Sequence, residues 1–193
     1  MKKTFYCVRH GRTEWNKERR FQGISDIPLS EEGILQARKA KPMYDKLYFE
    51  EIFSSPLSRA VETAKIITED RHLPIHIDER IIERSFGRFE GEFINDCDIG
   101  TLHIEEPDYG GEDPDHCAFR FRGFLDDLAV NSGKESFLIV SHGGCIGNFI
   151  RSLYDEEGKK LVLPRGKLPN CSLTVIEWED GRYHVKKIGY TED

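Results

Sequence analysis

The sequence has no hydrophobic run near the ~20 residues needed to cross a bilayer. Its longest apolar stretches are short, such as Phe137–Val140, so no membrane-spanning segment and no membrane partner are predicted. The apolar run after Met1-Lys2-Lys3 stops at Val8, too short for the h-region of a secretory signal. Basic charge is not in excess: 28 Lys and Arg stand against 35 Asp and Glu, a net −7, with a pI near 5.6. Such a chain is a poor candidate for non-specific binding to nucleic acid. The five cysteines (Cys7, Cys97, Cys117, Cys145, Cys171) are odd in number, far apart and without a C-x-x-C pair. They predict free thiols in a reducing, cytoplasmic setting rather than a disulfide framework. Repeats and low-complexity tracts are absent. So are Walker A, G-x-G-x-x-G and G-x-S-x-G motifs, which argues against nucleotide-triphosphatase, dinucleotide and serine-hydrolase chemistry. No His-x-x-x-His or HExxH spacing supports a metal hydrolase, and no cofactor is predicted.

What is present is an ordinary globular composition. The chain has 193 residues, 38% of them hydrophobic, with 12 Phe and 7 Tyr. This is enough for one domain, residues 1–193, with a real core. Thr4–Val8 reads as a buried strand that stops at Arg9-His10-Gly11. Ser30 reads as an N-cap, followed by a helical stripe through Ile34, Ala37 and Ala40 that Pro42 should kink or divide. Glu51–Ser54 is a short strand. Ser55-Pro56 then reads as an N-cap with proline at the first helical position, ahead of Leu57, Ala60, Val61, Ala64 and Ile67. Ile75–Asp78 is another short strand, and 86–114 reads as excursion loops. Phe121, Leu125 and Leu128 mark a helix. Phe137–Val140 is a buried strand broken by Ser141-His142-Gly143-Gly144, and Ile146, Phe149, Ile150 and Leu153 follow at helical spacing. Leu173–Trp178 and Arg182–Ile188 form a terminal hairpin around Glu179-Asp180-Gly181. Strands alternating with helices predict an α/β fold. The predicted form is a three-layer α/β/α sandwich with a mainly parallel central sheet, an antiparallel edge and a small cap of inserted loops.

Two strands deliver the same kind of tripeptide, Arg9-His10-Gly11 and Ser141-His142-Gly143. Ligands of open α/β sheets sit beyond the carboxyl ends of strands. A third strand end leads into the helix that carries Arg59. Arg9, Arg59, His10, His142 and a helix N-terminus converging on one pocket would make an anion site, with phosphate as the natural guest. Taken singly, each motif reads as a surface turn or a solvated helix residue.

Arg9-His10-Gly11-Arg12-Thr13-Glu14-Trp15-Asn16, then Arg20-Phe21-Gln22-Gly23, Asp26, Pro28-Leu29-Ser30 and Gly33, resembles the opening of the histidine phosphatase superfamily, which holds phosphoglycerate mutases and broad-specificity phosphatases. Ser54 to Ala64, Glu83 with Phe86–Gly91, and Ser141–Gly144 resemble its later blocks in the right order. The resemblance implies that His10 attacks phosphorus and becomes phosphohistidine. Arg9, Arg59 and His142 would hold the phosphoryl oxygens, and Glu83 would act as general acid and then base. Asn16, Gln22 and the Gly143 N–H would be further donors. No metal is implied. The substrate would be a small phosphomonoester. On spacing alone, Glu83 would instead pair with Arg80 or Arg84, and Asn16 and Gln22 would be loop caps.

The sequence departs from the family pattern in places. Arg12 stands where a carboxylate is common, Phe89 where Trp is common, and Gly110-Gly111-Glu112-Asp113 carries Asp113 in place of Ser. The acids Asp96, Asp98, Glu105, Glu106 and Asp108 read as a solvated loop. Mutases of the family that these blocks resemble generally carry a longer insertion between the third and fourth blocks, so by that resemblance the short interval between Glu83 and His142 implies hydrolysis rather than mutase-type phosphoryl transfer. Two further readings compete. Cys145-x5-Arg151 matches the spacing of cysteine-dependent phosphatases, although Ile146, Phe149 and Ile150 fit a buried helix face better than a phosphate loop. A binding module without turnover would be marked by loss of Arg9, His10, Arg59, Glu83 or His142, and all five are present. The oligomeric state is not legible.

Overall fold

The computed structural model describes residues 2–94, 109–158 and 167–192. Its centre is a six-stranded sheet built from β1 (Lys3–Arg9), β2 (Glu51–Ser54), β3 (Ile75–Ile77), β4 (Ser136–Ser141), β5 (Leu173–Glu179) and β6 (Arg182–Tyr190). The order is β3-β2-β4-β1-β5-β6. The first four strands are parallel, β5 runs antiparallel to β1, and β6 antiparallel to β5. The helices are α1 (Glu14–Glu18), α2 (Glu31–Asp45), α3 (Ser58–Ile67), α4 (Pro114–Asn131) and α5 (Gly143–Glu156).

Side chains alternate across the sheet and so divide the core in two. Phe5, Phe137 and Ile139 pack with α4 and α5 through Phe121, Phe124, Phe149 and Ile150. Val8, Leu138 and Val140 pack with α2 and α3 through Ala37, Tyr44, Ala60 and Ile67. This is the three-layer α/β/α arrangement. β4 is buried along its whole length, as expected of a central parallel strand covered on both faces.

Local chemistry sets the element boundaries. Ser30 caps α2 by accepting from Gly33 N at 3.1 Å, and Thr13 with Asn16 closes a capping box on α1. Asp113 caps α4, with Pro114 at its first position. The two-residue turn Asp180-Gly181 has φ of 51° and 78°, the geometry that lets a tight hairpin keep the sheet twist.

Two boundary expectations are corrected. α2 runs unbroken through Pro42. Pro42 and Arg38 are both exposed, so the carbonyl freed by the missing N–H faces water, while buried Ala37, Met43 and Tyr44 hold the helix on both sides. α3 begins at Ser58 with Leu57 at its cap, not at Ser55-Pro56. The Ser55 hydroxyl accepts from Leu57 N at 3.4 Å ahead of the helix and also bonds His142. Of the predicted cap, Phe86 packs on Phe21 and Phe89 on Tyr109. Cys97 and the acids Asp96, Asp98, Glu105, Glu106 and Asp108 lie outside the described residues.

Candidate active site

Register brings the strand ends together. Val8 pairs with Val140, Arg9 with Ser141, and Ser54 with Val140, so His10, His142 and Ser55 leave one aligned edge of the sheet. The chain after β1 turns to the α2/α3 face and the chain after β4 to the α5 face. The β1/β4 boundary is thus a topological switch point, where a crevice opens. Glycine at position 11 permits close packing there, since a Cβ would stand 2.8 Å from the Gly33 carbonyl. A cavity of about 370 Å³ lies at this edge. Its walls include Arg9, His10, Asn16, Gln22, Arg59 and Glu83, with Phe21, Phe86 and Ile94 on the apolar side.

His10 is buried, and its Nδ1 lies 2.6 Å from the Gly11 carbonyl. A carbonyl can only accept, so Nδ1 carries the hydrogen and Nε2 is the basic nitrogen. Burial, then Arg59 and Arg9, hold this imidazole well below its usual pKa, so it is neutral at pH 7. His142 is fully buried with its ring centre 5.1 Å from that of His10. Its Nε2 is 2.7 Å from Ser55 Oγ, and its Nδ1 is a buried polar atom without a partner. Burial, Arg59 and His10 depress its pKa as well.

Arg59 is fully buried and reaches carbonyls of the 23–25 loop: Nη1 donates to Ser25 at 2.8 Å and Nη2 to Gly23 at 2.7 Å. The Gln22 amide, with its oxygen towards Arg59, accepts from Nε at 2.6 Å and Nη1 at 3.0 Å, and its nitrogen meets Thr13 Oγ1 at 2.5 Å. One of the five guanidinium N–H groups is then left for a ligand. Burial brings Arg59 down to about 10, so it stays charged at neutral pH. Arg9 donates through Nη1 to the Leu168 carbonyl, and its buried Nε has no partner.

Glu83 does not pair with Arg80 or Arg84 side chains. Arg80 is held by Asp78 and Asp127, and Arg84 by the Glu112 carbonyl and Tyr109. The Glu83 carboxylate sits on the N-terminus of α5, accepting from Gly144 N at 3.0 Å and Cys145 N at 2.8 Å, and from its neighbour Arg84 N at 2.9 Å. Free N–H groups at a helix start favour such an acceptor.

All five predicted core residues thus gather at one edge, and Asn16 and Gln22 line the cavity. Asn16 is also a helix cap, at the third position of α1. His142 and Gly143 lie behind the cavity wall rather than on it; Gly143 packs against the Arg9 side chain. Cys145 is buried inside α5, with burial and Cys117 raising its thiol well above the usual value, and Arg151 binds Asn148. A nucleophilic thiolate needs the opposite environment, so the Cys145-x5-Arg151 reading is overturned. Sequence reasoning missed Ser55 as the partner of His142, Thr63, which accepts from Gly11 N at 2.9 Å, and Asn170, which donates to the His10 carbonyl at 3.0 Å. Cys7, Cys117, Cys145 and Cys171 are free and buried.

The model of the histidine phosphatase superfamily (branch 1) matches residues 5–191. The chain belongs to that family. A relative named Uncharacterized phosphatase PhoE, from Bacillus subtilis (strain 168), is 32% identical over 180 residues, covering 93% of this chain and 90% of that protein. Phosphoserine phosphatase 1 of Hydrogenobacter thermophilus is 32% identical over 193 residues, covering 95% and 90%. The crystal structure of a phosphoglycerate mutase from Bacillus anthracis superposes with a TM-score of 0.81 at 28% identity, covering 97% of this chain and 93% of that one. No described helix of this histidine phosphatase family member is long and apolar enough to cross a membrane.

Proposed function

We propose that this protein hydrolyses small phosphomonoesters through a phosphohistidine on His10, with Glu83 as general acid and then base. The observation that carries the reading is the His10 tautomer: Nδ1 is tied to the Gly11 carbonyl, which leaves Nε2 as an unprotonated nucleophile beside two arginines. Nε2 attacks phosphorus, the P–O ester bond breaks, and the leaving alkoxide takes a proton from Glu83. Water then attacks the phosphohistidine, Glu83 takes its proton, and the N–P bond breaks to give inorganic phosphate. Arg9 and Arg59 offset the charge on the transferring phosphoryl group, with the Nδ1 of His142 behind them. These cations supply the neutralisation that a metal brings elsewhere, so turnover continues in EDTA. The buried free thiols support a reducing, cytoplasmic setting.

The names of the two phosphatase relatives support hydrolysis, and the phosphoglycerate mutase neighbour supports the second reading, transfer back to substrate. One assay separates them. Phosphate release and isomer formation are followed on a panel of phosphomonoesters in EDTA, with wild type and His10→Ala side by side. Wild type should release phosphate and form a trappable phosphoenzyme, and His10→Ala should do neither. Isomer without free phosphate would mean a mutase, and release by His10→Ala would remove His10 from the mechanism.

A further inference from the structure

The cavity wall is far more cationic than one phosphate requires. Arg9, Arg12, Arg19, Arg20, Arg59 and Lys167 line it, and Glu83 is the one carboxylate among the described lining residues. This stands in a protein whose net charge is −7. Arg59 is fully buried and Arg9 half-buried, both close enough to His10 to act on its charge. Of the others, Arg19 and Lys167 are exposed and Arg12 and Arg20 half-buried, and they differ in how far they are already engaged. Arg20 is occupied: it bonds Glu18 and the Gly91 carbonyl and lies over the Phe93 ring. Lys167 makes no hydrogen bond or ion pair with any described residue. Arg12 uses only Nη1, in a solvent-exposed pair with Glu32 at 2.7 Å. Such exposed pairs are weak and exchange readily for a better-placed anion. Burial, then the positive charges of Arg9, Arg19 and Arg12, pull the Lys167 pKa down. Clustered cations of this kind persist when a bound anion repays their mutual repulsion.

We propose that the substrate is a small phosphomonoester carrying a second anionic group, a carboxylate or a second phosphate, received by Lys167 and Arg12 at the cavity mouth while the scissile phosphate meets Arg9 and Arg59. This rests on the hydrolase reading above and names its substrate class. At about 370 Å³ the cavity admits only a short linker between the two anions. The side chains of Phe21, Phe86 and Ile94 in the same wall carry no hydrogen-bond donor for the second charge.

The test compares matched pairs. The carboxylate pair is 3-phosphoglycerate and its methyl ester, with propane-1,3-diol bisphosphate against propyl phosphate for a second phosphate. We expect kcat/KM to favour at least one doubly anionic member at least ten-fold in wild type. That ratio should fall at least five-fold in Lys167→Gln combined with Arg12→Gln, whatever happens to the absolute rates. Binding is measured separately by calorimetry with 3-phosphonopropionate and propylphosphonate, and with propane-1,3-diphosphonate for the second-phosphate arm. The double substitution should erase the same preference there. Absence of phosphate release from every ester, with the calorimetric preference intact, would overturn the hydrolase reading and leave the second-anion site standing. A wild-type ratio near one for both pairs, or a ratio that the substitutions do not move, would overturn the proposal.

Discussion

His10 and His142 are paired in sequence pattern but not in environment. One ring reaches the cavity with its tautomer set by a carbonyl; the other is sealed behind it against Ser55. Arg9, His10, Arg59 and His142 were legible because each sits at or just after a strand end, where α/β sheets place ligands. Glu83 was legible only by resemblance, because what fixes it is two N–H groups more than sixty positions away in sequence. Asn170 and Ser55 had no signal at all, since their partners lie 160 and 87 positions distant. Lys167 was invisible too, since the arginines whose field it meets, Arg9, Arg12 and Arg19, lie far away in sequence. At this scale the acid has its own prediction. Glu83→Gln keeps the shape of the side chain but cannot give up a proton to the leaving oxygen. Turnover of alkyl phosphates should fall about 10²–10⁴-fold, while esters with good aryl leaving groups should fall far less. Equal loss across leaving groups, read from steady-state rates, would remove Glu83 from the proton transfer.

At the scale of elements, patterning located every described strand and every described helix from α2 onward, but it misread two points, one where a side chain had other employment and one where a lost hydrogen bond faces water. Ser55 resembles a cap by sequence, yet its hydroxyl serves His142, and α3 starts three residues later. Pro42 resembles a breaker, yet the lost hydrogen bond is on the wet side of α2. The first turn of α5 is where an element and the chemistry meet. A Cβ on Gly144 would lie 2.6 Å from Glu83 Oε1 and 3.1 Å from Cδ. Its neighbour is the far end of a flexible side chain, so the fold can yield by letting Glu83 swing away. Alanine is also the better helix former, by roughly 1 kcal/mol. Gly144→Ala should therefore leave thermal stability unchanged or slightly higher and lower alkyl phosphate turnover at least ten-fold. A large loss of stability would mean that the contact is rigid and the argument about Glu83 mistaken.

At the scale of the whole molecule, the alternation of strands and helices was enough for the three-layer class. The strand order β3-β2-β4-β1-β5-β6 was not, because pairing across long sequence separations leaves no periodicity to read. That order is what buries His10 and His142 together among arginines, and it makes the fold sensitive to acid. In the unfolded chain both imidazoles titrate near 6.5. In the fold, burial and the positive field hold both lower. Between the folded and unfolded values the unfolded chain binds more protons, so stability rises with pH there. Their contribution is complete above about pH 7 and is lost as pH falls below 6.5 towards the folded values, by up to about 1.4 kcal/mol per pH unit for each histidine. The carboxylates with lowered values, among them Asp78, Glu112 and Glu177, weaken the fold only below about pH 4.5, nearer their unfolded range. The window from pH 6.5 to 5 thus reports the two histidines. Urea midpoints should be flat from pH 8 to 7 and fall across that window in wild type. His10→Ala should reduce the slope by about half. A flat midpoint down to pH 5 would show that the buried imidazoles accept protons without cost, and the neutral His10 on which the nucleophile depends would lose its physical basis.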